Sequence, residues 1–242
     1  MDKERKLFLG CSGYFYKGWL GKFYPKDLKM SQWFNFYTSK FNTVEINSTF
    51  YRMPKPADLR RWSRSAPEGF VFSVKMNRNI THYKKFRNTQ KEIKEFYDLI
   101  IENLEDKLGC VLIQLPPSYK KSEENLSAII EQLNGDVKNV IEFRHKSWWS
   151  EEVYEKLRKF NLCFCSVSAP KLPEDLVVTA EYIYIRFHGK EKWYRYNYSD
   201  KELMEWARKI RSVDFTQAYI YFNNDFDANA PRNCERLKEF LK

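Results

Sequence analysis

TVEINSTFYR, residues 43–52, opens as a buried strand and then departs from one. Val44 and Ile46 alternate with Glu45 and Asn47, so one face is aliphatic and the other carries a carboxylate and an amide. Successive strand side chains point to opposite faces. The segment then runs through Ser48, Thr49, Tyr51 and Arg52 with no glycine turn, so the polar face is aimed at something other than bulk water.

The same parity recurs along the chain. Short apolar runs at 7–12, 43–47, 70–76, 110–116, 139–144, 162–168, 182–188 and 218–223 read as eight strands. Amphipathic segments near 31–40, 57–65, 90–106, 123–134, 150–160, 200–211 and 230–241 read as helices between them. The connection after the sixth strand, APKLPEDLVVTAE, is too proline-rich for a long helix. Strand–helix alternation implies right-handed crossovers and a parallel sheet. Eight repeats in 242 residues predict an α/β fold, a single-domain (β/α)8 TIM-type barrel over 1–242 with an irregular connection after the sixth strand.

Strands buried on both faces of a parallel sheet should be almost wholly apolar. Here Ser73, Lys75 and Asn77 alternate with Phe72, Val74 and Met76, and Gln114 sits between Ile113 and Leu115. Glu142 and Arg144 flank Phe143, Arg186 and His188 flank Phe187, and Tyr221 and Asn223 flank Phe222. The apolar set belongs against a helical shell, which sends the polar set into the barrel at its carboxyl-terminal mouth, where barrel active sites lie. The candidate site is therefore Glu45, Asn47, Lys75, Asn77, Gln114, Glu142, Arg144, Arg186, His188, Tyr221 and Asn223, with Trp148 from the loop after strand five.

Buried charges need partners. One solution is internal, Glu45 with Lys75 and Glu142 with Arg144 or Arg186. The other counts three cations against two carboxylates and completes the site with an anion, since arginine forks suit carboxylate or phosphate. In that reading Lys75, Arg144 and Arg186 hold the anion. Glu45, Glu142 and His188 transfer protons, and Asn47, Tyr221 and Asn223 orient the ligand. Any chemistry is of an acid–base hydrolase, lyase or isomerase kind, and no reaction class is assigned. No GxGxxG, Walker loop, GxSxG or HExxH is present, and no cofactor is assigned.

Net charge is +10 with a pI near 9.2, a balance that favours anionic partners. Aromatic residues make up 17% of the chain, and many sit in loops at the mouth: Tyr14, Phe15, Tyr16, Trp19, Phe50, Tyr51, Trp148, Trp149, Trp193 and Tyr194. Rings beside cations stack on bases or sugars, so nucleic-acid binding is the alternative reading. Five cysteines without a CxxC pair read as buried apolar side chains, and three histidines are few for a zinc site, so no metal ligands are assigned. MDKERKLFLG has too short an apolar run for a leader, and no run approaches the ~18 residues of a membrane helix. A cytoplasmic protein without a membrane partner is the expectation; oligomeric state is not legible.

The chain resembles the YecE-like proteins, domain-of-unknown-function family 72. The resemblance rests on GCSGYFYKGWLGKFYP (10–25), FNTVEINSTFYRMP (41–54), FSVKMNRNITH (72–82), LIQLPPS (112–118), IEFRHKSW (141–148), RFHG (186–189) and YFNND (221–225). Cys11 and Tyr14 stand where the family usually has threonine and tryptophan. The resemblance implies a TIM-type barrel and no established activity. Barrel similarity to phosphodiester-cleaving endonucleases implies DNA binding by fold analogy only, and those enzymes hold metals with more His, Asp and Glu than this mouth offers.

Overall fold

The computed structural model describes residues 5–242, so the charged opening at 1–4, weighed above for a leader, lies outside the described residues. Eight parallel strands alternate with helices. The strands are β1 (Lys6–Cys11), β2 (Thr43–Ile46), β3 (Val71–Lys75), β4 (Leu108–Gln114), β5 (Lys138–Glu142), β6 (Cys163–Ser168), β7 (Tyr182–Phe187) and β8 (Gln217–Phe222). The helices are α1 (Trp33–Lys40), α2 (Ser48–Tyr51), α3 (Pro56–Ser65), α4 (Gln90–Leu104), α5 (Glu123–Ile130), α6 (Glu151–Lys159), α7 (Asp200–Arg211) and α8 (Asn229–Leu241). The hydrogen-bonded order is β1-β8-β7-β6-β5-β4-β3-β2, and β1 and β2 meet to make a nearly closed barrel through the parallel bridge Ser12–Glu45.

That last seam is closed mainly by side chains. The Asn42 amide accepts from Leu9 N–H (3.0 Å) and donates to Leu7 C=O (2.8 Å). The Tyr37 hydroxyl accepts from Cys11 N–H (2.7 Å) and donates to Thr43 C=O (2.9 Å). Backbone groups that a ladder would satisfy are thus satisfied by an amide and a phenol. Gly10 is required at this crossing, because a Cβ there would lie 2.0 Å from the Thr43 carbonyl oxygen.

Two buried layers follow from the parity. Val44, Ile46, Phe72, Val74, Val111, Ile113, Ile141, Phe143, Ile183, Ile185, Ile220 and Phe222 face the helical shell. The lumen below the mouth is filled by Cys110, Leu112, Val140, Cys163, Cys165, Val167, Tyr182, Tyr184, Tyr219 and Tyr221. All five cysteines are free and buried. β4 carries one extra residue opposite Phe72–Val74, at Gly109–Cys110, which keeps Cys110, Leu112 and Gln114 inward.

The connection after β6 has no helix and runs back along its own strand. Thr179 Oγ1 accepts from Phe164 N–H (2.8 Å) and donates to Leu162 C=O (2.6 Å), while Val177 N–H donates to Ser166 Oγ (2.9 Å). After β3 a π-helical turn, Asn79–Lys84, precedes three residues of positive φ, Lys85, Phe86 and Asn88. Among the described residues no helix is long and apolar enough to cross a membrane.

Candidate functional site

The carboxyl ends of the strands carry a chain of ion pairs across the barrel mouth. Arg186 on β7 lies between two carboxylates from distant strands. Its Nη2 donates to Glu45 Oε1 on β2 (2.6 Å), and its Nη1 pairs with Glu142 Oε2 on β5. Glu45 also accepts from the Ser12 hydroxyl and from Tyr184 OH (2.6 Å). Glu142 takes a second cation, Arg144, through Oε1. Arg186 is 1% exposed and both carboxylates are fully buried. The inward carboxylate of the opening segment is therefore a counter-ion, tied by Ser12 to the end of β1 and by Tyr184 to β7 across the lumen.

These contacts decide the protonation states. Burial opposes the Glu142 carboxylate, but Arg144, Arg186 and His188 outweigh it and hold its pKa well below the usual range. Burial likewise opposes the Arg186 charge, and Glu142 and Glu45 hold it firmly protonated. Burial, with Arg144 and Arg186 beside it, drives His188 down to about 3. Its ring is neutral at physiological pH. The Asn223 amide nitrogen lies 3.2 Å from Nδ1, while Nε2 faces Glu142 Oε1 (3.2 Å), Arg144 Nη2 (3.2 Å) and Arg186 Nη1 (3.3 Å). Burial raises Tyr184, and Glu45 adds to the shift, so its phenol remains a donor.

Lys75 stands outside this network. Its Nζ donates to Gln114 Oε1 (2.8 Å) and lies 4.1 Å from the centre of the Phe50 ring. Among the described residues no carboxylate forms an ion pair with it, so the Glu45–Lys75 pairing expected from the sequence is replaced by Glu45–Arg186. Burial first, and Arg186 second, lower its pKa to about 7 against the weaker opposing pull of Glu142 and Glu45. Its charge therefore changes near neutrality.

A cleft of about 320 Å³ opens beside it, lined by Tyr16, Asn47, Lys75, Arg144, Asn223 and Asp225 among others. That is the lower end of the size range of small-molecule sites. Asn47 Oδ1 and Arg186 Nε, buried polar atoms of the lining, have no hydrogen-bond partner among the described residues. Asn47 is anchored by its other end, Nδ2 donating to Ser12 Oγ (2.6 Å). The Arg144 guanidinium lies 4.5 Å from the Trp193 ring centre. Asp225, in no ion pair among the described residues, has its carboxyl raised by burial.

Several sequence expectations need correction. Trp148 is fully buried, stacked 4.1 Å from Phe143 on the outer side of β5, with its indole N–H donating to Tyr119 C=O (2.7 Å). It cannot meet a ligand in the cleft. Tyr221 does point inward, but its hydroxyl turns down to Thr43 Oγ1 (2.6 Å) and Ser73 Oγ (2.8 Å), one layer beneath the mouth. Asn77 is spent on local structure, donating to Thr49 C=O (3.0 Å) and accepting from Asn79 N–H (3.0 Å). Arg186 is consumed by two carboxylates, and only its Nε is left for a ligand.

Three groups at the mouth were missed. Ser12 ends the run read as the first strand, 7–12, for which no inward set was drawn. Asp225 lies three residues beyond β8, where parity no longer applies. His82 comes from the π-helical turn, its Nε2 3.5 Å from Gln114 Nε2 and its ring 4.9 Å from Phe50. Burial, Lys75 and Arg144 lower it to about 4. The only signal for the last two is their presence in the quoted motifs. Among the described residues no group of three or more His, Cys, Asp or Glu side chains gathers at metal-binding range.

Comparison with known proteins places this geometry. The chain is 24% identical to the UPF0759 protein YunF of Bacillus subtilis over 97% of this chain and 94% of that one. It is 25% identical to UPF0759 protein YecE of Escherichia coli K12, over 85% and 84%. The crystal structure of a DUF72 family protein from Thermotoga maritima superposes with a TM-score of 0.90 at 31% identity, covering 98% of this chain and 99% of that one. One from Enterococcus faecalis superposes at 0.84 and 20% identity, covering 97% and 95%. With the family model described as "Protein of unknown function DUF72" matching residues 8–242, eight parallel strands and this fold likeness, the chain belongs to the DUF72 family.

Proposed function

We propose that the mouth of the barrel binds a small organic anion, carrying a carboxylate or phosphate, and that Lys75 is its proton-transfer group. The observation that carries this reading is Lys75 itself: a buried ammonium with an amide and a ring for neighbours while both nearby carboxylates are taken by arginines. Arg144 supplies a guanidinium at the cleft wall, pinned on one side by Glu142 and on the other by Trp193. Asn47 Oδ1 offers an acceptor for a ligand hydroxyl. Glu142 and His188 keep fixed protonation states near neutral pH, so their part is to set the field and hold the arginines. The deeply buried Glu45 holds Arg186 from the other side.

Calorimetric titration with L-lactate and with inorganic phosphate tests the reading. Binding of at least one, weakened by salt and by Arg144→Ala, is expected. Absence of binding by both, or equal binding in wild type and Arg144→Ala, would refute it.

A second reading, single-stranded nucleic acid lying across the rim, is favoured by one feature. The Arg78 guanidinium lies 5.4 and 5.5 Å from the rings of Tyr51 and Tyr83, which are 65% and 64% exposed. Such an arrangement suits base stacking with phosphate contact. It requires affinity for an oligonucleotide that falls steeply with salt and drops in Tyr51→Ala; no association at low salt would dispose of it.

A further inference from the structure

We propose that the ligand is a 2-oxo acid and that Lys75 Nζ forms an imine with its carbonyl carbon, a step that rests on the anion-binding reading above. Three features of the mouth converge on this chemistry.

The first is nucleophilicity. An amine attacks only when neutral, and a lysine becomes neutral near pH 7 when it is desolvated or set beside other cations. Both conditions hold here. The charged and titratable groups facing Lys75 are Arg186 from β7, Arg144 beyond β5, Glu142 from β5, Glu45 from β2 and His82 from the π-helical turn. Their balance, after burial, places its pKa at about 7.

The second is direction. Gln114 Oε1 takes one N–H of Lys75 at 2.8 Å, and the Phe50 face lies 4.1 Å away. The amide fixes the nitrogen at the cleft wall, and the ring stabilises the cationic iminium that replaces the ammonium.

The third is the division of labour. A neutral Lys75 no longer holds the anion, and Arg144 at the same cleft takes the carboxylate next to the carbonyl. A carboxylate adjacent to the reacting carbon is the defining feature of a 2-oxo acid. The room, about 320 Å³, fits an acid of a few carbons.

The step balances without a further reactant. The amine lone pair forms the C–N bond, the carbonyl C=O bond breaks, the oxygen departs as water with the two amine hydrogens, and the imine nitrogen takes one proton from solvent to become the iminium. The imine nitrogen then draws electrons from the adjacent carbon, which acidifies its C–H bonds.

The test uses the full chain with pyruvate and sodium cyanoborohydride, whose hydride adds to the imine carbon while solvent protonates nitrogen, giving a stable secondary amine. The expected result is a single adduct by intact mass, mapped by peptide sequencing to Lys75, with a yield that rises through pH about 7. Lys75→Arg should lose the adduct. Modification confined to surface lysines, or no adduct, would overturn the imine. If lactate binds and pyruvate is not trapped, only the imine fails. If lactate, pyruvate and inorganic phosphate all fail to bind, the anion-binding reading falls with it.

Discussion

Lys75 and Glu142 carry opposite costs, and each yields a measurable signature. Below pH about 7 Lys75 is charged in both the native and the unfolded chain, so its burial cost is fully present. Between about 7 and its ordinary value of 10.5 the unfolded chain binds a proton the native protein does not, so stability rises with pH. Lys75→Met should therefore stabilise most below pH 7, with the gain shrinking toward 10.5 in denaturant titrations. Glu142 behaves conversely. Glu142→Gln leaves Arg186 and Arg144 underpaired in a buried site, at a cost of about 3–5 kcal/mol in equilibrium unfolding. It also removes an attraction that holds Lys75 protonated, so the Lys75 pKa in that variant should move below its wild-type position. The alternation of apolar and polar residues already brings Glu45, Glu142, Arg186 and His188 to one ring. The pairing of Glu142 with Arg144 and Arg186 was legible, but that of Glu45 was not, because the choice between Lys75 and Arg186 depends on distances across the lumen rather than on order along the chain.

At the level of elements, strand parity holds through each strand and a residue or two past it, as at Asn47, Arg144 and Asn223, and fails further on. Trp148 ends one 3-10 turn, Lys146–Trp148, and Asp225 caps the start of another, Phe226–Ala228, so their directions are set by tertiary packing. His82 is delivered by a π-helical turn, a rare element with no periodic signature of its own. Tyr221 shares the correct face, yet barrel tilt sets its depth, and tilt emerges only when all eight strands close. The β1–β2 seam gives the element-scale test. Tyr37→Phe strips the partner from the buried Cys11 N–H and Thr43 C=O and should cost about 1–3 kcal/mol, read as a lowered denaturation midpoint. Gly10→Ala should be worse, since the added methyl meets backbone oxygen rather than a movable side chain.

The molecule as a whole should be acid-labile before its carboxylates titrate. His188 in the folded protein has a pKa of about 3 and His82 of about 4, each lowered from 6.5 chiefly by burial. From pH 6.5 downward the unfolded chain takes up protons that the native barrel refuses, so stability falls as pH falls toward these values. Thermal midpoints measured across this window should decline in the wild type and decline less in His188→Gln. The eightfold alternation, the helix-free stretch after β6 and the aliphatic outer layer were all legible in advance, because each follows from local periodicity and proline placement.

The side-chain stitching between the first and second strands has one more consequence. A ladder of peptide bonds breaks only when backbone moves, whereas a phenol or an amide releases its partners by turning about a side-chain bond. The cylinder should thus breathe along this line first, and amide protons of Leu9 and Cys11 should exchange with deuterium sooner than those of the fully laddered seventh strand. Glu45 sits at the top of the same line, so each such opening loosens one end of the ionic tie across the mouth.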